Sequence, residues 1–197
     1  MTPTKTLSGR AAVLLQSDID TDAILPKQFL RRIDREGFGE LLFFEWRKDP
    51  AFVLNQPAAQ GARILITGAN FGCGSSREHA VWALRGCGFD AVIAPSFGDI
   101  FASNASKNGL MLVAVPDATV QALARRVVAN PALEITVDVE RCEVHADGVS
   151  EQFVLPNRVR RLFLEGLDEI GLTLADDALI TAYEQRRPGW MPSIPKR

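Results

Sequence analysis

The sequence is poor in the features that would identify it quickly. It has only 3 cysteines, Cys73, Cys87 and Cys142. They are odd in number and widely spaced, and they form no CxxC pair. That argues against a closed zinc site or a self-contained iron–sulfur site on this chain. It also argues against a disulfide framework and favours a reducing compartment. No run reaches the roughly 20 apolar residues of a membrane span. Residues 1–9 are polar and lack the apolar stretch of a secretory signal, so the expected location is the cytoplasm. An excess of one charge is missing too. Lys and Arg number 22 against 24 Asp and Glu, a net charge of -2. Polyanions and acidic membranes are therefore not the expected partners.

What is present is ordinary for a soluble globular protein, with 47% hydrophobic and 23% charged residues. A length of 197 residues suggests one domain, or one domain with an appendage, and is enough to bury a core.

Strand and helix signals alternate through the middle of the chain. Short apolar runs predict strands at 11–15, 64–67, 91–94 and 110–115. Helical spacing predicts helices over 75–84, 99–108 and 120–129, the last capped by Asp117. This alternation is the signature of an α/β fold. The last third differs. Residues 134–139 alternate like a half-buried strand. Asp147-Gly148 predicts a hairpin turn between 143–145 and 152–155. Helices are expected over 157–164 and 176–186, the second with Leu179, Ile180 and Tyr183 facing inward. Three prolines after residue 187 suggest a loose tail.

One segment carries chemistry: Gly68-Ala69-Asn70-Phe71-Gly72-Cys73-Gly74-Ser75-Ser76-Arg77-Glu78-His79-Ala80. It leaves a predicted strand and enters a predicted helix. Backbone N–H groups and the helix dipole there favour an anion, and the glycines let the main chain approach it closely. Arg77 can grip a carboxylate with two parallel hydrogen bonds. No GK[ST] follows, so this is not a nucleotide P-loop, and the glycines do not fit GxGxxG. A plainer alternative stays open at this point: a tight turn in which Ser75 or Ser76 caps the helix and Arg77 pairs with a nearby acid. Asp18, Asp20 and Asp22 form an acidic run without the glycine and distal glutamate of a calcium loop, so turn capping and orientation of the site are their expected roles.

The stretch Asn70 to Ala80 resembles the signature of the aconitase superfamily's swivelling domain, in its isopropylmalate isomerase small-subunit version. The resemblance continues in Asp20-Thr21-Asp22-Ala23-Ile24-Leu25-Pro26-Lys27-Gln28-Phe29-Leu30. It continues further in Ile93-Ala94-Pro95-Ser96-Phe97 and in Gly166-Leu167-Asp168 with Ile170-Gly171-Leu172-Thr173-Leu174. It covers the chain from about Gly9 to about Tyr183. It departs from the family pattern at Leu110-Met111-Leu112-Val113, where a proline is missing, and over 154–164.

The resemblance implies a swivelling β/β/α domain of the aconitase C-terminal type, with a mixed sheet and flanking helices, occupying 1–197. It implies a hydro-lyase that works by dehydration and rehydration, with Ser75 as the base on the substrate carbon. Ser76 and Arg77 would bind a carboxylate of a small dicarboxylic substrate. Phe29 and Leu30 would meet its apolar group; the equal alternative is that they anchor a basic loop containing Arg31, Arg32 and Arg35. No cofactor or metal is expected on this chain; a [4Fe-4S] cluster is expected on a partner large subunit. Neither nucleic acid nor membrane is an expected partner. Related substrates (methylmalate and citraconate, dimethylmalate, homoaconitate) share the architecture, and a stand-alone carboxylate-binding module is the alternative of another class. Cys73 and His79 are expected to be structural, and His145 to lie on the surface.

Overall fold

A computed structural model describes residues 2–31 and 36–191. The strands are β1 (Thr6–Leu14), β2 (Ile64–Thr67), β3 (Ala91–Ala94), β4 (Met111–Ala114), β5 (Glu134–Asp138), β6 (Glu143–Ala146) and β7 (Val149–Gln152). The helices are α1 (Thr21–Ile24), α2 (Glu78–Gly86), α3 (Asp99–Lys107), α4 (Asp117–Ala129), α5 (Asn157–Glu165), α6 (Glu169–Ala175) and α7 (Asp177–Gln185). Among the described residues between α1 and β2, short 3₁₀ turns follow one another, from Lys27–Arg31 to Pro57–Ala59.

The seven strands form one mixed sheet in the order β4-β3-β2-β1-β5-β6-β7. β1 to β4 run parallel, and β1, β5, β6 and β7 alternate antiparallel. The expected α/β architecture with a mixed sheet and flanking helices is therefore what forms. Every residue of β2 and β3 is buried, because the parallel half is covered on both faces. Leu65 and Val92 point into the core beneath α2, α3 and the 3₁₀ turns. Ile64, Ile66, Ala91 and Ile93 point to the other face, beneath α4 and α5. Each fully buried Leu or Ile side chain contributes roughly 1.5–3 kcal/mol, so these few central residues fix the register.

Local chemistry accounts for most boundaries. β5 alternates between the two environments, as its sequence predicts. Asp147 and Gly148 take positive φ of 43° and 75°, the conformation of a two-residue hairpin turn, and β7 begins at once at Val149. Gly166 ends α5 at φ 68°. Asp168 caps α6 by accepting from the Gly171 amide at 2.6 Å. Asp117 does not cap α4; it lies inside the first turn and Pro116 takes the cap position.

The C-terminus corrects an expectation. α7 forms, but Leu179 and Tyr183 point outward, 71% and 58% exposed, and Ile180 is exposed as well. α7 packs on α6 rather than on the sheet, so its apolar face has no core beneath it. Of the expected loose tail 188–197, residues 188–191 form a turn in which the Met191 amide donates to the Pro188 carbonyl at 3.0 Å, and the rest lies outside the described residues, as do Arg32 and Arg35. Among the described residues no helix is long and apolar enough to cross a membrane.

Candidate functional site

The parallel half of the sheet brings the carboxyl ends of β1, β2 and β3 together, the place where open α/β sheets bind ligands. Three segments leave those ends side by side: 15–22, 68–77 and 95–98. The middle one is zipped to both neighbours. The Gly68 amide donates to the Gln16 carbonyl at 3.1 Å, and the Gly72 amide donates to the Ile19 carbonyl at 2.7 Å. On the other side the Asn70 amide donates to Ser96 Oγ at 2.9 Å, and the Phe71 amide donates to the Ser96 carbonyl at 3.1 Å. Phe71 is fully buried and sits edge-on to Phe101, nailing the loop to α3.

The loop then climbs into the open. Gly72 and Gly74 take φ of 74° and 88°, where an L side chain is strained. At Gly72 there is no room either, since a Cβ would meet the Phe101 ring at 2.2 Å. Gly74, Ser75 and Ser76 are exposed, and neither serine hydroxyl has a partner among the described residues. The amides of Gly74, Ser75 and Ser76 are also unpaired there, and α2 starts immediately afterwards at Glu78. This is a row of free N–H groups at a helix N-terminus, which favours negative charge.

The predicted helix start at Ser75 is thus three residues early. The plainer reading holds in one part and fails in the other: Arg77 does pair with a nearby acid, Asp22, but neither Ser75 nor Ser76 is the cap, since Arg77 occupies the cap position and no side chain caps the helix. Both hydroxyls are left available for something else.

Arg77 is the most confined charged group here, with a side chain only 12% exposed. Its Nη2 donates to Asp22 Oδ2 at 2.7 Å. Its Nη1 lies against Asp22 Oδ1 in the same ion pair, so both carboxylate oxygens face the guanidinium. The Arg77 hydrogen bond is the main cause holding the Asp22 carboxyl below the ordinary carboxylate range. Partial burial opposes it, and the Lys27 main-chain N–H assists. The same pairing raises Arg77, which stays charged.

The acidic run 18–22 orients the loop, as its sequence suggests. Asp18 accepts from Asn70 Nδ2 at 2.7 Å, and Asp20 caps α1 through the Ala23 amide at 2.7 Å. Thr21, which sequence reasoning passes over, donates from its hydroxyl to the Ser75 carbonyl at 3.1 Å. Nothing in a lone threonine signals such a role; only the strand order brings residue 21 to residue 75.

The remaining residues fall into place around this centre. Phe29 and Leu30 lie in the turn Lys27–Arg31, half-buried against the core, with the Phe29 ring edge-on to Phe44 at 4.9 Å. His79 packs between Phe38 and Trp82, at 5.5 and 4.5 Å between ring centres. His145 is exposed on β6. Burial, then the charges of Asp20 and Asp18, push the Cys73 thiol up, so it is protonated at neutral pH. Cys87 ends α2 beside Arg47, and Cys142 lies in the β5–β6 turn. Among the described residues no three Cys, His, Asp or Glu side chains gather to hold a metal ion, and three thiols so dispersed do not fit an iron–sulfur cluster.

What remains is an exposed ridge with two free hydroxyls, unpaired amides and a guanidinium held by Asp22. Comparison with known proteins shows the family. The model of the aconitase C-terminal domain matches residues 1–118, and that of the C-terminal domain of the 3-isopropylmalate dehydratase small subunit matches 169–192. A 3-isopropylmalate dehydratase small subunit from Rubrobacter xylanophilus is 50% identical over 194 residues, which is 98% of this chain and 100% of that one. One from a Parafrankia species is 53% identical, covering 94% of this chain and 95% of that one. The crystal structure of a 3-isopropylmalate dehydratase from Methanocaldococcus jannaschii superposes with a TM-score of 0.64 at 28% identity, over 91% of this chain and 99% of that one.

Proposed function

The chain belongs to the 3-isopropylmalate dehydratase small-subunit family of the aconitase superfamily, and from that premise we propose that the ridge 74–77 is the substrate-gripping half of a divided active site. The chain is the small subunit of a hydro-lyase of leucine biosynthesis, interconverting 2-isopropylmalate and 3-isopropylmalate. A small subunit works with a large one; that the large one carries a [4Fe-4S] cluster is part of this proposal. So are the cytoplasmic location and the action of 1–197 as one swivelling domain.

Removing water from a hydroxy acid requires a base at the C–H bond and an acceptor for the departing hydroxyl. This chain provides the first. Ser75 takes the proton from the substrate carbon and returns one in the reverse direction. A serine alkoxide is a strong base that is hard to form, and the unpaired amides of 74–76, the α2 N-terminus and Arg77 stabilise it. Ser76 and Arg77 hold a substrate carboxylate, Arg77 through donors not committed to Asp22. Phe29 and Leu30 meet the isopropyl group, from the turn Lys27–Arg31 that follows α1. The partner's cluster would supply Lewis-acid help to the leaving hydroxyl.

The observation that carries this reading is the free Ser75 hydroxyl beside unpaired amides at the start of α2, next to an arginine held by Asp22. The test is to reconstitute the chain with its large subunit and assay isopropylmalate, citraconate and homoaconitate in parallel. Preference for isopropylmalate is expected. Preference for either of the others overturns the substrate assignment and leaves the reaction type standing.

A further inference from the structure

We propose that Thr21 is the positioning residue of the site, a clamp that sets two peptide planes of the loop so that the Gly74 and Ser76 amides face the substrate. The clamp rests on the reading of 74–77 as the substrate grip and deepens it.

Thr21 is one of few buried polar side chains, 2% exposed. It meets the loop twice. Its amide donates to the Cys73 carbonyl at 3.0 Å, and its hydroxyl donates to the Ser75 carbonyl at 3.1 Å. Gly74 lies between these two anchors, and a Cβ there would stand 4.0 Å from the Thr21 hydroxyl. In a trans peptide the N–H points opposite to the C=O. Tying the Cys73 and Ser75 carbonyls down to Thr21 therefore turns the Gly74 and Ser76 amides up and away from it. Those amides have no partner among the described residues. Two parallel, unpaired N–H groups two residues apart make an anion-binding concavity.

Thr21 is itself held, because its carbonyl accepts from the Leu25 amide at 3.0 Å within α1. A buried hydroxyl without an acceptor is costly, so the bond to Ser75 is not readily exchanged for another. The division of labour in Asp20-Thr21-Asp22 follows. Asp20 caps α1, Asp22 holds the guanidinium of Arg77, and Thr21 alone grips the main chain that carries the base.

The test uses Thr21→Val, which keeps the shape and removes only the hydroxyl tie, and Thr21→Ser, which keeps the tie. Thr21→Ala runs alongside in case the valine variant does not fold. Two readouts are taken: amide ¹H–¹⁵N shifts of Gly74 and Ser76 in the isolated chain, and kcat per assembled complex with the large subunit. In Thr21→Val both amides shift while those of α4 stay put, and kcat falls about tenfold, less than the roughly 10²–10³-fold cost of deleting a donor because the amides are misaligned and not lost. Thr21→Ser restores both. A merely structural threonine would lower the melting temperature and the yield of complex, leaving kcat per complex unchanged. Unmoved Gly74 and Ser76 amides in Thr21→Val and Thr21→Ala overturn the clamp. Amides that move while kcat does not would show a real clamp on a loop that is not the site, which overturns the reading of 74–77 instead.

Discussion

Arg77 and Asp22, 55 positions apart in the chain, meet in a two-point ion pair, with Nη2 donating to Oδ2 at 2.7 Å and Nη1 lying against Oδ1. The pair fixes the guanidinium plane, and the Lys27 main-chain N–H assists Arg77 in holding the carboxylate ionised.

Asp22→Asn removes the charge and keeps the shape. With Arg77 no longer held in one plane, KM of the reconstituted enzyme should rise by about tenfold while kcat changes less, as steady-state kinetics will read.

The same variant has a signature in stability against pH. The Arg77 hydrogen bond lowers the folded-state pKa of Asp22, so the pair stabilises the fold wherever the unfolded carboxyl is ionised and loses that effect as acid carries the pH down through the lowered value. Because Asp22 is 49% exposed, solvent screening limits the gain to less than about 1 kcal/mol. Urea denaturation should therefore separate wild type from Asp22→Asn at pH 7, and the two should converge below the ordinary carboxylate range, under about pH 4.

Cys73 lies inside the signature yet is held protonated by burial and by Asp20 and Asp18. Its alkylation by iodoacetamide at pH 7.5 (an assay condition of about one unit below the ordinary thiol pKa) should be slower than that of free cysteine. Faster alkylation would mark it as an activated thiol and contradict its structural role.

Gly39 and Gly86 touch main chain to main chain, and a Cβ on Gly39 would stand 2.3 Å from the Gly86 carbonyl. That contact seats the turn Phe38–Leu41 against the end of α2. Backbone cannot rotate away as a side chain can, so Gly39→Ala should cost at least about 2 kcal/mol in chemical denaturation.

The parallel half is legible in the sequence because both faces of its strands are buried. The runs Ile64–Thr67 and Ala91–Ala94 have no polar residue on a solvent face to blur their limits. The signature loop is legible as a strand-to-helix turn, since Gly72 and Gly74 take the positive φ that their residue type allows. The start of α2 is not, since Ser75 and Ser76 are good caps by residue type and only the left-handed turn at Gly74 delays the helix to Glu78. Periodicity in 177–185 predicts the helix correctly and its inward face wrongly, because an apolar stripe reports that something covers it and not what. Thr21 is invisible, its partner being chosen by sheet topology.

Phe29 and Leu30 pose a choice between anchoring and substrate contact, and both are half-buried. Leu30→Ala should raise KM for isopropylmalate by about tenfold, the order for losing apolar contact with a branched group, while changing KM for citraconate by much less. Equal losses on both substrates would identify Leu30 as an anchor only.

Ser75 as the base, with Ser76 and Arg77 as the grip, stands or falls by one measurement. It is the turnover of Ser75→Ala and Ser76→Ala reconstituted with the large subunit, with assembly checked by size-exclusion chromatography. Intact assembly is expected for both. Ser75→Ala should lose roughly 10³-fold or more in kcat, and Ser76→Ala should show a rise in KM as its main effect. Full activity in an assembled Ser75→Ala enzyme would contradict the assignment of the base.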